Sequence, residues 1–450
     1  MNQDKYFHVL YKAVWVWAII VLLSGQALSK DYDYISISNP FLNKTPVAVT
    51  SFKAFNGHGA EVAAGVQAEQ ILKAGLDFTG YLKIIDSAAF LSNPAESGIQ
   101  LGQINFKDWT GIGAELLITG GVEAYDGQVK LQLRLMDTFN AKLVVGKIYG
   151  GPVTQIRTMV HRFCAEVAKA LTGNFGVFGS KIAFVSTVNG YKEIYSCDFD
   201  GFNPKQITHH KSISLSPAWS HNGQWLAYVS YAKGKPDIFI KNLKENLGNI
   251  INYKGINISP DWMPEKLNLG ATLSFSGNQE IYLLTRKGEI IKRVTKSWGT
   301  NVSPKFSPDG RKIAFTSSRS GNPQIYIQEM DSEEARRVTF TGKYNTSPAW
   351  SPDGKKIAYA GIDKNKINIF VISVEPHIGT SVQLTAEQGD NEDPCWSPDG
   401  SLIVFKSNRK GGRAHLFVMT AAGTDQRQLL SMSGIQSEPD WSGDTGFSSE

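Results

Sequence analysis

The sequence predicts a six-bladed β-propeller of four-stranded blades, preceded by a smaller α/β domain, and three observations predict it. An aromatic residue recurs at 219, 262, 306, 350, 396 and 441, in steps of 43, 44, 44, 46 and 45. Every one closes a segment of the form Ser-Pro-Ala-Trp (216–219), with Asp or Glu in place of Ser at 393 and 438. The two ends of the repeat are complementary: the segment after 180 lacks a first strand, and the last aromatic has no second strand behind it. A period near 44 with four short strands describes a propeller blade.

Each unit continues with the same grammar. Ser-Pro-Asp-Gly follows the aromatic at 307–310, 351–354 and 397–400, and Ser-His-Asn-Gly at 220–223. Pro presets φ, Asp bonds back to the backbone and Gly takes φ > 0, so these are tight hairpin turns. A second strand follows (Ile313-Ala314-Phe315, Ile357-Ala358-Tyr359), then a third (Ile281-Tyr282, Ile325-Tyr326), then a short fourth such as Arg-Val-Thr at 293–295. The third unit departs at Met263-Pro264-Glu265-Lys266 and the sixth at Ser442-Gly443-Asp444. Six first strands match six sets of the other three if the C-terminal strand completes the blade begun at 180. That closure leaves no free sheet edge.

Ahead of the repeat, residues 30–174 read as α/β and 175–450 as the propeller. Thr45–Phe52 has strand character, and Ala60–Leu76 reads as a helix with Val62, Val66, Leu72 and Leu76 inward. Leu116–Tyr125 and Gln128–Met136 flank Asp126-Gly127, a strong hairpin signal, and Lys142–Tyr149 adds a strand. From Val153 to Leu171, the apolar residues Ile156, Val160, Phe163, Val167 and Leu171 recur at helical spacing, with Gly173 as C-cap.

The first 29 residues read as a signal peptide. Lys5 and Lys12 precede the apolar run Ala13–Leu23, and Ala27-Leu28-Ser29 has the form of a cleavage site, which predicts a periplasmic protein beginning at Lys30. That run is shorter than the roughly 20 residues a spanning helix needs. A net charge of +5 over 450 residues, with no Lys/Arg run interleaved with aromatics, does not suit nucleic acid. Cys164, Cys197 and Cys395 are odd in number and far apart, a pattern of small buried hydrophobes.

Catalytic motifs are missing. The chain has no G-x-S-x-G elbow, P-loop or G-x-G-x-x-G. His209-His210 is the one histidine pair, and neighbours on a strand point to opposite faces, so no metal site is expected. The acids Glu392 and Asp393 read as loop residues, and Asp309, Asp353 and Asp399 as turn residues. No catalytic, cofactor or metal residues are predicted. One polar pattern stands out three residues before each repeat proline: Ser214, Asn257, Asn301, Asn345, Asn391 and Gln436. At the start of each first strand they would form a ring at one channel mouth, either as a partner-binding surface or as local turn caps.

The signal peptide, α/β domain and Ser-Pro-x-Trp-Ser-Pro-Asp-Gly repeats together resemble the TolB family of periplasmic Tol–Pal components. The resemblance spans the mature chain, including Ile35-Ser36-Ile37 near its start. It implies a non-enzymatic scaffold of the cell envelope. Such a scaffold binds the lipoprotein Pal at the propeller mouth and TolA through the N-terminal segment carrying Ile35 and Ile37, and it supports envelope integrity and cell division. The rival class is an enzyme or accessory: a substrate filter for a peptidase, or a lyase. No catalytic domain is apparent for the first, and clustered histidine ligands are lacking for the second.

Overall fold

The structure is a computed structural model and describes residues 44–92, 98–245 and 247–443. The signal segment 1–29, Ile35 and Ile37, and the departure at Asp444 lie outside the described residues. The α/β domain and the propeller belong to one unit.

In the α/β domain, strand β1 (Thr45–Val49) lies parallel to both β3 (Leu82–Ile84) and β4 (Leu116–Tyr125). Strand β2 (Lys53–Ala54) also pairs with β4, while β5 (Gln128–Asp137) and β6 (Lys142–Pro152) extend the sheet as an antiparallel meander. The β4–β5 turn has Asp126 at φ 48° and Gly127 at φ 72°. Two successive positive φ values are what a two-residue hairpin of matching twist requires.

Helices α1 (Gly59–Phe78) and α3 (Ile156–Thr172) pack side by side against this sheet, and α2 (Phe106–Gly111) buries Trp109 with Leu117 and Met136. In α3, Ile156, Val160, Phe163 and Val167 are buried as predicted, and Gly173 caps the helix at φ 85°. Leu171 is exposed. The expectation for α1 is corrected: Val62 and Val66 are 50% and 48% exposed, while Ala64, Ala68, Leu72 and Leu76 are buried. The helix presents a stripe of small residues because it lies close to its neighbours. A Cβ on Gly65 would sit 3.3 Å from the Phe52 carbonyl oxygen.

Six four-stranded sheets follow. Blade 2 covers 214–251, blade 3 covers 257–293, blade 4 covers 301–337, blade 5 covers 345–383 and blade 6 covers 391–428. Blade 1 joins the two ends of the repeat: Gln436–Trp441 pairs antiparallel with Lys181–Ser186, Trp441 opposite Ile182. This is the closure the sequence predicts. The aromatics pack between blades, Trp262 against Ile238, Ile240 and Ile251 of blade 2 and Trp350 against Ile325 and Ile327 of blade 4.

The turns carry their expected chemistry. Asp309 Oδ1 accepts from Arg311 N at 3.0 Å and from Ser307 Oγ at 2.6 Å, and Asp353 and Asp399 repeat the arrangement. The irregular 263–266 turn keeps the closing hydrogen bond but shifts its left-handed residue. Met263 N donates to Asn268 O at 2.9 Å, as Ser307 N does to Lys312 O, but the positive φ falls on Glu265 (58°), the counterpart of Asp309, one residue earlier than on Gly310 (67°).

Candidate functional site: the propeller channel and its free face

The first strands surround the central channel, and each is broken by a bulge just before its proline. Pairing shifts between Leu215 and Ala218, Ile258 and Asp261, Val302 and Lys305, and at the corresponding places in the other blades. The bulged residues Ser216, Ser259, Ser303, Ser347, Asp393 and Glu438 all take φ between 49° and 53°. A non-glycine residue held left-handed carries a cost that surrounding structure must offset, and the bulge turns its side chain into the channel. Beneath this ring lies a ring of six prolines, and together they line a neck of about 120 Å³.

Two charged groups occupy the channel. Ser216 N and Oγ donate to Glu438 at 2.7 and 3.0 Å, and Ser347 Oγ donates to Asp393 at 3.1 Å. Burial, with Glu438 and Glu392 adding repulsion, pushes the Asp393 carboxyl up to about 7. Deeper, Lys305 Nζ sits between Asp261 (2.9 Å) and Asp440 (3.2 Å), bridging blades 3, 4 and 1. Those carboxylates hold the Lys305 ammonium well above its ordinary range despite its burial. Beyond it the channel widens to about 400 Å³ among the repeat tryptophans. Among the described residues, no group of three His, Cys, Asp or Glu side chains could hold a metal ion.

The structure corrects the picture of the polar hexad as an accessible ring. Ser214, Asn257, Asn301, Asn345, Asn391 and Gln436 do recur around the propeller, but they are only 0–2% exposed. Their side chains clasp adjacent blades. Asn301 Nδ2 donates to Glu280 Oε2 at 2.9 Å, and Thr295 Oγ1 donates to the same carboxylate at 2.6 Å. Asn345 and Thr339 do the same with Gln324 Oε1, both at 2.8 Å, and Ser214 and Thr208 with Glu193. Asn257 reaches Asp237 at 3.2 Å, Asn391 reaches Asn368 at 3.4 Å, and Gln436 Oε1 meets His415 Nδ1 at 3.3 Å. In each case the first strand of one blade holds the third strand of the blade before it. A buried amide needs such partners, which is why the positions are polar.

Sequence reading placed Glu392 and Asp393 in a loop, but both lie in the first strand of blade 6. The signal for the channel residues was available: the residue on either side of each repeat proline varies in charge while the frame stays fixed. His209 is exposed, whereas His210 is half-buried against Tyr228 and Phe239, its Nδ1 2.6 Å from Ser230 Oγ. Both lie in the loop after Lys205–Gln206 rather than on a strand, and they face different surroundings. All three cysteines are free, and burial raises their thiols.

The two faces of the propeller differ. The α/β domain covers part of the face formed by the first-to-second and third-to-fourth strand turns: Arg157 pairs with Asp200, Arg427 donates to Phe78 O at 2.6 Å, and Phe199 packs on Phe78, His161 and Phe178. At Gly80 (φ 79°) the chain passes so near blade 6 that a Cβ would meet Thr420 Cγ2 at 2.9 Å. Among the described residues, no hydrogen bond or ion pair links the other face, at the neck end of the channel, to that domain.

These features define a class: a two-domain propeller protein whose α/β domain docks on one face and whose described residues leave the opposite channel mouth uncovered. Comparison with known proteins narrows it. The profile of the TolB beta propeller domain matches residues 168–445 and that of the TolB amino-terminal domain matches 33–144. A "Protein TolB homolog" of Chlorobium luteolum is 40% identical over 92% of this chain and 94% of its own length. The "Tol-Pal system protein TolB" of Desulfosudis oleivorans is 51% identical over 64% of this chain and 65% of its own length. The crystal structure of TolB from Acinetobacter baumannii superposes with a TM-score of 0.78 at 26% identity, covering 89% of this chain and 97% of that one. The chain belongs to the TolB family.

Proposed function

We propose that this protein is a non-enzymatic periplasmic scaffold of a Tol–Pal envelope system. In this reading it receives a Pal-like lipoprotein on the open propeller face and a TolA-like inner-membrane protein through residues 30–43, with Ile35 and Ile37 as contacts. By joining the two membranes' components it supports outer-membrane integrity and cell division. The observation that carries the reading is the open mouth: within a family named for the Tol–Pal system, one propeller face is taken by the α/β domain and the other is covered by none of the described residues. The polar hexad enters as support rather than as the contact surface. Its buried bonds fix the loops just ahead of each first strand, and those loops carry the exposed side chains a partner would meet.

Hydrogen exchange of the mature chain with and without the soluble domain of the organism's Pal-like lipoprotein tests this. Slowed exchange in the segments 294–300, 318–323 and 338–344 is expected, and protection confined to the α/β domain would refute it. Deleting residues 30–43 should abolish TolA-like binding and spare lipoprotein binding. Intact mass of envelope material should start at Lys30; retention of residues 1–29 would contradict export by cleavage.

A further inference from the structure

The loops of the open face run from second to third strands and from fourth strands to the next first strand. They carry twelve Lys and Arg residues against two acidic ones, Glu387 and Asp390. The turns of the opposite face carry six basic residues against twelve acidic ones. The net charge of +5 conceals this segregation. Lys192, Lys211, Lys254, Lys296, Lys343 and Lys410 are exposed, and among the described residues none has a carboxylate within ion-pair distance. Asp390, by contrast, already accepts from Ile367 N and from Asn408 Nδ2.

The same loops expose apolar side chains. Trp298 is 78% and Phe340 69% exposed, with Phe275 and Tyr344 nearby in sequence order on blades 3 to 5. The loops that bear them touch one another. Asn278 Nδ2 donates to the carbonyls of Ser297 and Gly299, and Thr300 N donates to Ser318 Oγ. Between them Arg319 stacks on Phe315 and Tyr326 at 5.3 and 4.8 Å and donates to Asn301 Oδ1 at 2.8 Å, and among the described residues it forms no direct ion pair. Exposed Trp298, Phe340 and Tyr344 on loops around a fixed Arg319, with Arg337 lying 5.1 Å over Phe340, have the composition of a protein-binding hot spot, and unpaired lysines around them supply a long-range field.

We infer that the open face docks a folded protein whose facing surface is acidic, anchored apolarly at Trp298 and Phe340 and steered by the surrounding lysines. The inference rests on the preceding reading that a protein partner binds this mouth, and adds the chemistry of that partner. The charge on the face selects an acidic surface. The Trp298–Arg319–Phe340 grouping on one side of the ring makes the contact off-centre, towards blades 3 to 5.

Titration calorimetry with the mature chain and the soluble lipoprotein domain tests it at about 50 mM and about 500 mM salt, where screening lengths differ several-fold. High salt should weaken binding by about tenfold or more. Trp298→Ala should weaken it by about tenfold at both salt levels without lowering the melting temperature. The double change Lys296→Glu with Lys343→Glu should weaken it at low salt and flatten the salt dependence. Binding that ignores salt and all three substitutions would overturn the acidic-partner inference while leaving the partner reading intact. No binding by the parent chain would refute the partner reading itself. Sedimentation with anionic phospholipid vesicles, abolished by Trp298→Ala, would assign the face to a membrane and overturn the inference equally.

Discussion

The seams between blades and the seam between the two domains are made of different materials. Each blade seam repeats one recipe: an aromatic from the first strand, and a buried polar clasp back to the third strand before it. Trp262, Trp350 and Trp396 also donate their indole N–H to the carbonyls of Ala218, Lys305 and Ala349 in the preceding blade, at 3.0–3.2 Å. The domain seam is unrepeated and combines aromatic edges with ion pairs. Arg157 pairs with Asp200 and lies 4.0 Å over Phe202, while Arg427 pairs with Asp425 and lies 4.7 Å over Phe78. A ring shares its strain over six seams and fails when one is opened, whereas a single seam depends on a few groups and on their protonation.

The sharpest way to break this comparison is to open the ring. Deleting residues 436–450 removes the strand that pairs with Lys181–Ser186 and leaves a sheet edge unpaired. Aggregation or loss of a cooperative calorimetric transition is expected. A truncated chain that melts like the parent would mean the seams are independent.

Next in size is a single seam. Trp350→Ala should cost about 3–5 kcal/mol, because the ring fills the space between blades 4 and 5 and its N–H is spent on Lys305. Chemical denaturation measures it, and a loss below about 1 kcal/mol would show that the blades repack freely.

The domain seam should show itself through pH. His161 is buried against Phe178 and Phe199 with Nε2 unpartnered, and burial, reinforced by Arg157, pulls its imidazole down to about 4. The folded state therefore takes up its proton later than the unfolded chain, whose histidines titrate near 6.5. Stability is complete above that value and is lost as pH falls from about 6.5 to about 4, by roughly 3 kcal/mol at most. Asp393 in the channel has the opposite sign: its carboxyl is raised to about 7, so its contribution is lost as pH rises from about 4 to about 7. The two windows overlap and their slopes oppose, so His161→Phe should leave a net fall in stability as pH rises from about 4 to about 7. A stability–pH curve that the substitution leaves unchanged between about pH 4 and about pH 7 would place the histidine titration elsewhere.

The smallest expected effect sharpens the role of the clasp. Asn301→Ala removes one donor from the Glu280 carboxylate, which Thr295 and Arg293 still hold at 2.6 and 3.0 Å. A loss of about 1–3 kcal/mol is expected. If stability is unchanged while lipoprotein binding falls, Asn301 serves the partner and the clasp is incidental.

The propeller was far more legible in the sequence than the α/β domain. Repetition exposes a blade because every copy must solve the same packing problem, so Trp219, Trp262, Phe306 and their successors recur with their turns. Helix α1 offered no such redundancy. Val62 and Val66 match the helical period as well as Ala64 and Ala68 do, and only proximity to Phe52 and Val122 decides which stripe is buried. By itself the sequence determined the blade count, the turn chemistry and the closure by Gln436–Trp441, since each follows from local propensity and counting. Only the tertiary structure decided where polar side chains point. A residue at the start of a strand can face the channel or the next blade. The bulge at Ser216 and its equivalents turns one set into the channel and leaves Asn301 and its equivalents between blades. The gathering of twelve basic residues on one face was equally hidden, because loops that are neighbours in space lie about twenty residues apart in the chain.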